Sequence, residues 1–136
     1  MKFKANQKDI QKSLNYCQGV IEKRSTLPIL SNVLINVEKT ELTLTATDLD
    51  LIFIHKIKDI EVQDEGKTTT SSSIMYDIIR KISSDKKINF SNTGSTKLNL
   101  ESEKSVFNLN CIDAAEFPLT DEDFNQNTFS INSKNL

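Results

Sequence analysis

The chain of 136 residues has two cysteines and one histidine. Cys17 and Cys111 are far apart and form no C-x-x-C pattern. Each stands where a hydrophobe would fit, so both read as core thiols rather than a disulfide or a metal set. With His55 as the only histidine, a zinc site has too few ligands. A Ser-His-Asp or Cys-His site would need His55 as its base, and it sits in an apolar run, Leu51–Ile60, with no such companions in sequence. No apolar run reaches the ~18 residues of a membrane span. The opening Met1-Lys2-Phe3-Lys4 has no apolar stretch of the kind a secretory signal needs. The expectation is a cytoplasmic protein with no membrane association, no catalytic residue, no metal and no cofactor.

A basic excess is also absent. The net charge is −2 and the sequence pI is near 5.4, which excludes a globally basic nucleic-acid binder. The charge is nevertheless uneven. Residues 1–24 carry Lys2, Lys4, Lys8, Lys12, Lys23 and Arg24 against Asp9 and Glu22. Residues 112–136 carry Asp113, Glu116, Asp121, Glu122 and Asp123 against Lys134. Hydrophobic residues make up 37% and charged residues 26%, enough for one packed domain.

Met1–Asn6 alternates apolar and polar residues as a strand does. Asn6, with Asp9 three residues on, reads as a helix N-cap. Ile10, Leu14, Cys17 and Ile21 then recur at helical spacing and fall within about 60° of one another. The opposite face carries Lys8, Lys12, Asn15 and Gly19. Three strands are expected over Val33–Val37, Leu42–Thr47 and Leu51–Ile60, with a longer break at Asp64-Glu65-Gly66. The order then repeats. Thr68–Ser71 reads as a strand, and Ser72 or Ser73 caps a helix to about Ile82 whose buried side is Ile74, Ile78, Ile79 and Ile82. Strands follow over Ile88–Ser91, Lys97–Glu101 and Ser105–Cys111. The chain is therefore a duplicated β-α-β-β-β unit, an α+β fold with two helices packed on one side of antiparallel sheets.

A longer offset is visible as well. Phe3-Lys4-Ala5-Asn6-Gln7-Lys8-Asp9-Ile10 matches Phe129-Ser130-Ile131-Asn132-Ser133-Lys134-Asn135-Leu136 in its Phe, Asn and Lys positions. Such an offset suits tandem domains and is too long for a solenoid repeat. The expectation is one domain over residues 1–125. Residues 126–136 would hold the linker end and first strand of a truncated second domain, and Phe117–Thr128 would be the linker.

Four stretches together carry a family resemblance. They are the N-terminal Met1-Lys2-Phe3 strand with its helix, Thr26-Leu27-Pro28-Ile29-Leu30-Ser31-Asn32, Thr45-Ala46-Thr47-Asp48-Leu49-Asp50, and Asp113-Ala114-Ala115-Glu116-Phe117-Pro118. In that order they resemble the bacterial DNA polymerase sliding clamps, the beta subunits of the polymerase III holoenzyme. The resemblance implies the DNA-clamp fold, three copies of one domain per chain, and two chains closed head to tail around duplex DNA. It implies a noncatalytic processivity factor without sequence specificity. Polymerase and clamp loader would dock on domains outside this stretch.

A sliding ring needs a few mobile cations on its inner helices rather than a tight phosphate clamp. Lys8, Lys12, Lys23, Arg24, Arg80 and Lys81 are the expected DNA-facing residues; the family places a basic residue at the position of Arg24. Ser71-Ser72-Ser73 stands where the family often has basic residues, so DNA contact from this domain alone should be weak. The last strand is expected to be a free edge, with Phe107 and Leu109 at the subunit interface. Asp48 and Asp50 lack the further oxygen ligands of a calcium loop and read as turn residues. The alternatives are a noncatalytic protein-interaction module acting through its β edges and, less well supported, a small α+β enzyme.

Overall fold

The computed structural model describes residues 1–21, 27–94 and 96–118. Strand β1 (Lys2–Asn6) leads into helix α1 (Gln7–Val20). A 3-10 turn at Pro28–Ser31 precedes β2 (Asn32–Glu38), β3 (Glu41–Thr47), β4 (Ile52–Ile57) and β5 (Glu61–Asp64). Then come β6 (Gly66–Ser71), α2 (Ser72–Arg80), β7 (Lys87–Thr93), β8 (Lys97–Ser102), β9 (Ser105–Ile112) and a 3-10 turn at Ala114–Glu116. No helix among the described residues is long and apolar enough to cross a membrane.

The strands run in the order β4-β3-β2-β6-β9-β8-β7-β1-β5, with every pairing antiparallel. This order shows how the duplication folds. Each unit stacks its last three strands as a meander, β2-β3-β4 or β7-β8-β9. Its first strand is given to the other unit, so β1 pairs with β7 and β6 with β2. The two halves meet where β6 pairs with β9 at Thr69–Ile112 and Thr70–Cys111. At the equivalent place in the other half, the free side of β1 is taken by β5.

β5 corrects the expectation of one strand over Leu51–Ile60. β4 stops at Ile57, and Asp59 takes a left-handed conformation (φ 60°), which Asp tolerates better than most residues. Ile60 donates its N–H to the Thr40 carbonyl at 3.0 Å, and the chain then joins β1 as a new strand.

Both helices cover one face of the sheet. Ile10, Leu14 and Cys17 of α1 and Met75 and Ile79 of α2 are buried among Phe3, Val33, Ile35, Leu42, Leu44, Ile88, Phe90, Leu98 and Leu100. Phe3 and Phe90 stack at 4.6 Å between ring centroids. Burying side chains of this size contributes about 1.5–3 kcal/mol each before the opposing entropy is subtracted. Ile74 departs from the expectation, with 52% of its surface exposed. The helix packs through Met75 and Ile79, and at ~100° per residue Ile74 lies well outside that stripe.

The other face carries a smaller apolar set: Leu30, Leu34, Ile54 and Phe117, all buried and separate from the main core. Leu34, Thr45 and Ile54 form one cross-strand row, facing away from the helices. The turn at Pro28–Ser31 packs on β2, and the turn at Ala114–Glu116 packs on the neighbouring β6. Two stretches that carry the resemblance are therefore lids on one side of one sheet. Phe117, which the sequence reading gives to the linker, is buried in that packing; residues 119–136 lie outside the described residues.

The third stretch builds the β3–β4 turn. The Asp48 carboxylate accepts from the backbone N–H of Asp50 (3.0 Å) and of Leu51 (2.7 Å). Thr47 Oγ1 donates to the Leu51 carbonyl and accepts from the Leu49 N–H, and Leu49 sits at φ 81°. The Asp48 side chain is consumed by the turn.

Candidate functional site

α1 and α2 lie side by side and antiparallel. Gln7, at the start of α1, donates from Nε2 to the Ile79 carbonyl at the end of α2 (2.7 Å). At the other end Ser72 Oγ donates to Gln18 Oε1 (3.0 Å). Gln7 is fully buried, and its amide adds a donor to a last-turn carbonyl that also accepts from the Ile82 N–H. The periodic hydrophobic pattern carries no signal for Gln7, because a polar residue in the buried stripe lowers that pattern. Asn6 enters the helix from an extended conformation without capping it through its side chain. It holds the N-cap position, as expected, and its amide reaches Asp9 at 3.4 Å in place of a capping bond.

This antiparallel arrangement decides where the cations fall. Lys8 and Lys12 lie on the side of α1 away from Ile10 and Leu14, and both are exposed. Arg80 and Lys81 are exposed at the C-terminal end of α2, the end that neighbours the start of α1. Of the expected DNA-facing residues, Lys8, Arg80 and Lys81 thus lie at one end of the helix pair, and Lys12, a turn further along α1, borders a cleft with His55 and Lys56 of β4. Cations at the α2 C-terminus are also favoured by its dipole. Lys23 and Arg24 lie outside the described residues.

The four are not equivalent. Arg80 pairs with Asp77 at 3.3 Å and lies over the Tyr76 ring, 5.2 Å from its centroid. Its charge is partly answered within α2. Among the described residues Lys8, Lys12 and Lys81 are in no ion pair. Among the described residues, the two helices carry only uncharged side chains at the other end of the pair. Ser71 Oγ caps α2 by accepting from the Ile74 N–H (3.3 Å), Ser72 is buried against Gln18, and Ser73 is exposed.

Among the described residues β9 is a free edge over most of its length. It pairs with β8 along its length and with β6 at Cys111 and Ile112. Over Ser105–Asn110 one side remains without a ladder among the described residues. Leu109, opposite Leu98, is buried beneath the helices; its side chain is committed to the core and is not available to a partner. Phe107 is half-buried and Val106 is 55% exposed.

His55 lies in β4 beside α1. Its Nδ1 is 2.9 Å from Ser13 Oγ, its ring lies parallel to Phe53, and the Tyr16 ring meets it edge-on at 5.5 Å. Burial, and then Lys12, lower its pKa below 6.5, while Asp9 opposes them. Ser13 is fully buried, so this Ser-His contact cannot present a nucleophile to a substrate. Burial pushes the Cys17 thiol up to about 12; Cys111 is half-buried and raised for the same reason. No group of three His, Cys, Asp or Glu residues among the described residues is placed to hold a metal ion.

Comparison with known proteins agrees with this architecture. Residues 1–121 match the family described as DNA polymerase III beta subunit, N-terminal domain. The whole chain is 31% identical to a beta sliding clamp of Caulobacter vibrioides and 32% identical to that of Pseudomonas aeruginosa, covering 37% of each. It is 32% identical to the Escherichia coli beta sliding clamp over 90% of this chain and 33% of that protein. The chain thus spans little more than a third of these relatives. Among solved structures, the DNA polymerase sliding clamp from Caulobacter crescentus superposes with a TM-score of 0.82 at 32% identity, over 88% of this chain and 32% of that one. A griselimycin-bound sliding clamp from Bartonella birtlesii superposes with a TM-score of 0.84 at 33% identity, over 88% of this chain and 32% of that one. The chain belongs to the DNA polymerase III beta subunit family and corresponds to its N-terminal domain.

Proposed function

We propose that this chain is one domain of a ring-shaped processivity factor that encircles duplex DNA and slides on it without reading sequence. The observation that carries the reading is the exposure of Lys8, Lys12, Arg80 and Lys81 along an antiparallel helix pair, with Lys8, Arg80 and Lys81 at one end of it. Mobile, unpaired lysines suit a surface that attracts phosphates and releases them again. Lys23 and Arg24 extend the same surface in the proposal. The chain does no bond chemistry and works in the cytoplasm.

In the ring, residues 1–125 form the first domain, and residues 126–136 open a second. Two subunits close head to tail, and the unladdered stretch of β9 with Phe107 contributes to that contact through its backbone. Leu109 supports it from the core. Polymerase and clamp loader dock on domains beyond this chain.

The test is duplex binding by this chain at low ionic strength, followed as salt is raised. Lys8→Ala with Lys12→Ala should lower the log–log salt slope by about 0.9 for each phosphate that is no longer neutralised. Affinity should be equal across unrelated sequences. A slope unchanged by these substitutions would reject the helix face as the DNA surface. It would leave the β edges of a protein-interaction module as the better account.

A further inference from the structure

The four cations of the helix pair differ in chemistry as well as in place. Arg80 is the one guanidinium among them. A guanidinium offers a planar fork that can grip a phosphate with two hydrogen bonds, whereas an ammonium acts as a point charge. Among the described residues Arg80 is also the one of the four in an ion pair. Its Nη2 donates to Asp77 Oδ1 at 3.3 Å, and its Cζ stands 5.2 Å from the centroid of the Tyr76 ring. The Tyr76 hydroxyl reaches Asn15 Oδ1 of α1 at 3.5 Å, so the ring beneath the guanidinium spans the gap between the helices. Both charged side chains are open to solvent, Arg80 at 54% and Asp77 at 61%.

From this arrangement we infer that Asp77 and Tyr76 are positioning residues that weaken the domain's grip on duplex DNA. They hold the Arg80 guanidinium on α2, so that the side chain best suited to grip a phosphate meets DNA restrained and partly neutralised. The inference rests on the duplex reading and names what sets the strength of its contact. Helix stability does not account for Asp77. An exposed pair at this spacing adds little to a helix, and a carboxylate near the C-terminal end of α2 stands where the dipole disfavours it. Asp77 has no other hydrogen-bond or ion-pair partner among the described residues. Its contact with Arg80 is single and long, which a phosphate can displace, so it acts as a restraint and not as a lock. The Tyr76 face adds a second hold on the same cation. Both reduce the number of phosphates that this surface neutralises, and a ring that slides needs that number low.

The test is a double-mutant cycle on binding of a labelled duplex, read by anisotropy as salt is raised. Asp77→Asn should tighten binding several-fold at low salt and steepen the log–log salt slope by up to about 0.9, the share of one further phosphate. In an Arg80→Ala background the same substitution should change neither, because Asp77 acts through Arg80. Asp50→Asn makes the same change in net charge at the exposed β3–β4 turn and should leave binding as it was. Tyr76→Leu removes the ring beneath the guanidinium and should shift binding in the same direction as Asp77→Asn. Tyr76→Phe, which keeps the ring, should restore the affinity of the unsubstituted chain. Circular dichroism of each variant checks that the fold is kept, and the urea midpoint of Asp77→Asn should stay close to that of the unsubstituted chain.

Equal affinity and slope of the unsubstituted chain and Asp77→Asn would overturn the inference. So would a gain that persists in the Arg80→Ala background, or one that Asp50→Asn matches, since either would be a plain effect of net charge. Any of these, with the slope still lowered by Lys8→Ala and Lys12→Ala, would sink this inference and leave the duplex reading standing. Binding insensitive to Lys8→Ala, Lys12→Ala and Arg80→Ala alike would reject the helix face itself, and this inference with it.

Discussion

The surroundings of His55 lower its pKa. Burial and the charge of Lys12 disfavour its protonated form, and Asp9 only partly compensates. Its pKa in the fold is therefore below 6.5, its ordinary value when unfolded. The unfolded chain takes up the proton first as pH falls, so stability is fully present above that value and declines below it. Urea unfolding from neutral pH down towards about pH 5 should show this loss, and His55→Gln should flatten it. A slope unchanged by the substitution would mean that other groups carry the acid sensitivity. The cysteines differ in a similar way. Cys17 is fully buried on the core face of α1, while Cys111 is half-buried in β9. A thiol reagent added to the native chain should label Cys111 well before Cys17, because the thiolate is the reactive form and needs access. Mass spectrometry of partly labelled chain checks the order. Both residues are core-like in sequence; the fold puts Cys17 inside the core and Cys111 at its margin.

The elements owe their ends to short-range chemistry that sequence shows unevenly. α1 and α2 are legible because each buries one stripe at helical spacing. Their caps are less so: three consecutive serines precede the body of α2, and Ser71 takes the N-cap because β6 runs to that residue. Ser71→Ala should cost about 1 kcal/mol, read as a lowered urea midpoint with an unchanged slope. In β9 the alternation of Phe107, Leu109 and Cys111 shows which face is apolar, yet not how deep each residue lies. Leu109 sits under the helices opposite Leu98, so Leu109→Ala should destabilise by about 2–5 kcal/mol. Half-buried Phe107→Ala should cost clearly less and act on association instead. Equal losses from the two would contradict their assignment to core and edge. The Leu51–Ile60 run hides a turn because Ile57 and Ile60 keep it apolar, and the turn residue is Asp59 rather than Gly or Pro.

At the scale of the molecule, the duplicated β-α-β-β-β order is visible in sequence because each element has its own period. The exchange of first strands between the halves is not. It depends on pairings between residues far apart, such as Phe3 with Phe90 and Leu34 with Thr69, and no local pattern encodes a partner. The lysines Lys8 and Lys12 are legible as the polar side of α1. The meeting of Lys8 with Arg80 and Lys81 at one end depends on the antiparallel packing that the Gln7 and Ser72 hydrogen bonds mark. The aromatic surface with Tyr16, Phe53 and His55 is hidden for the same reason, since α1 and β4 are distant in sequence. The central claim concerns topology, so the most direct measurement uses the full-length protein loaded onto nicked circular duplex DNA and followed by gel filtration. The account predicts co-elution with the circle and release once the DNA is cut to a linear form with free ends. Retention that is the same on circular and linear DNA, or absent from both, would contradict a ring that holds DNA by enclosing it.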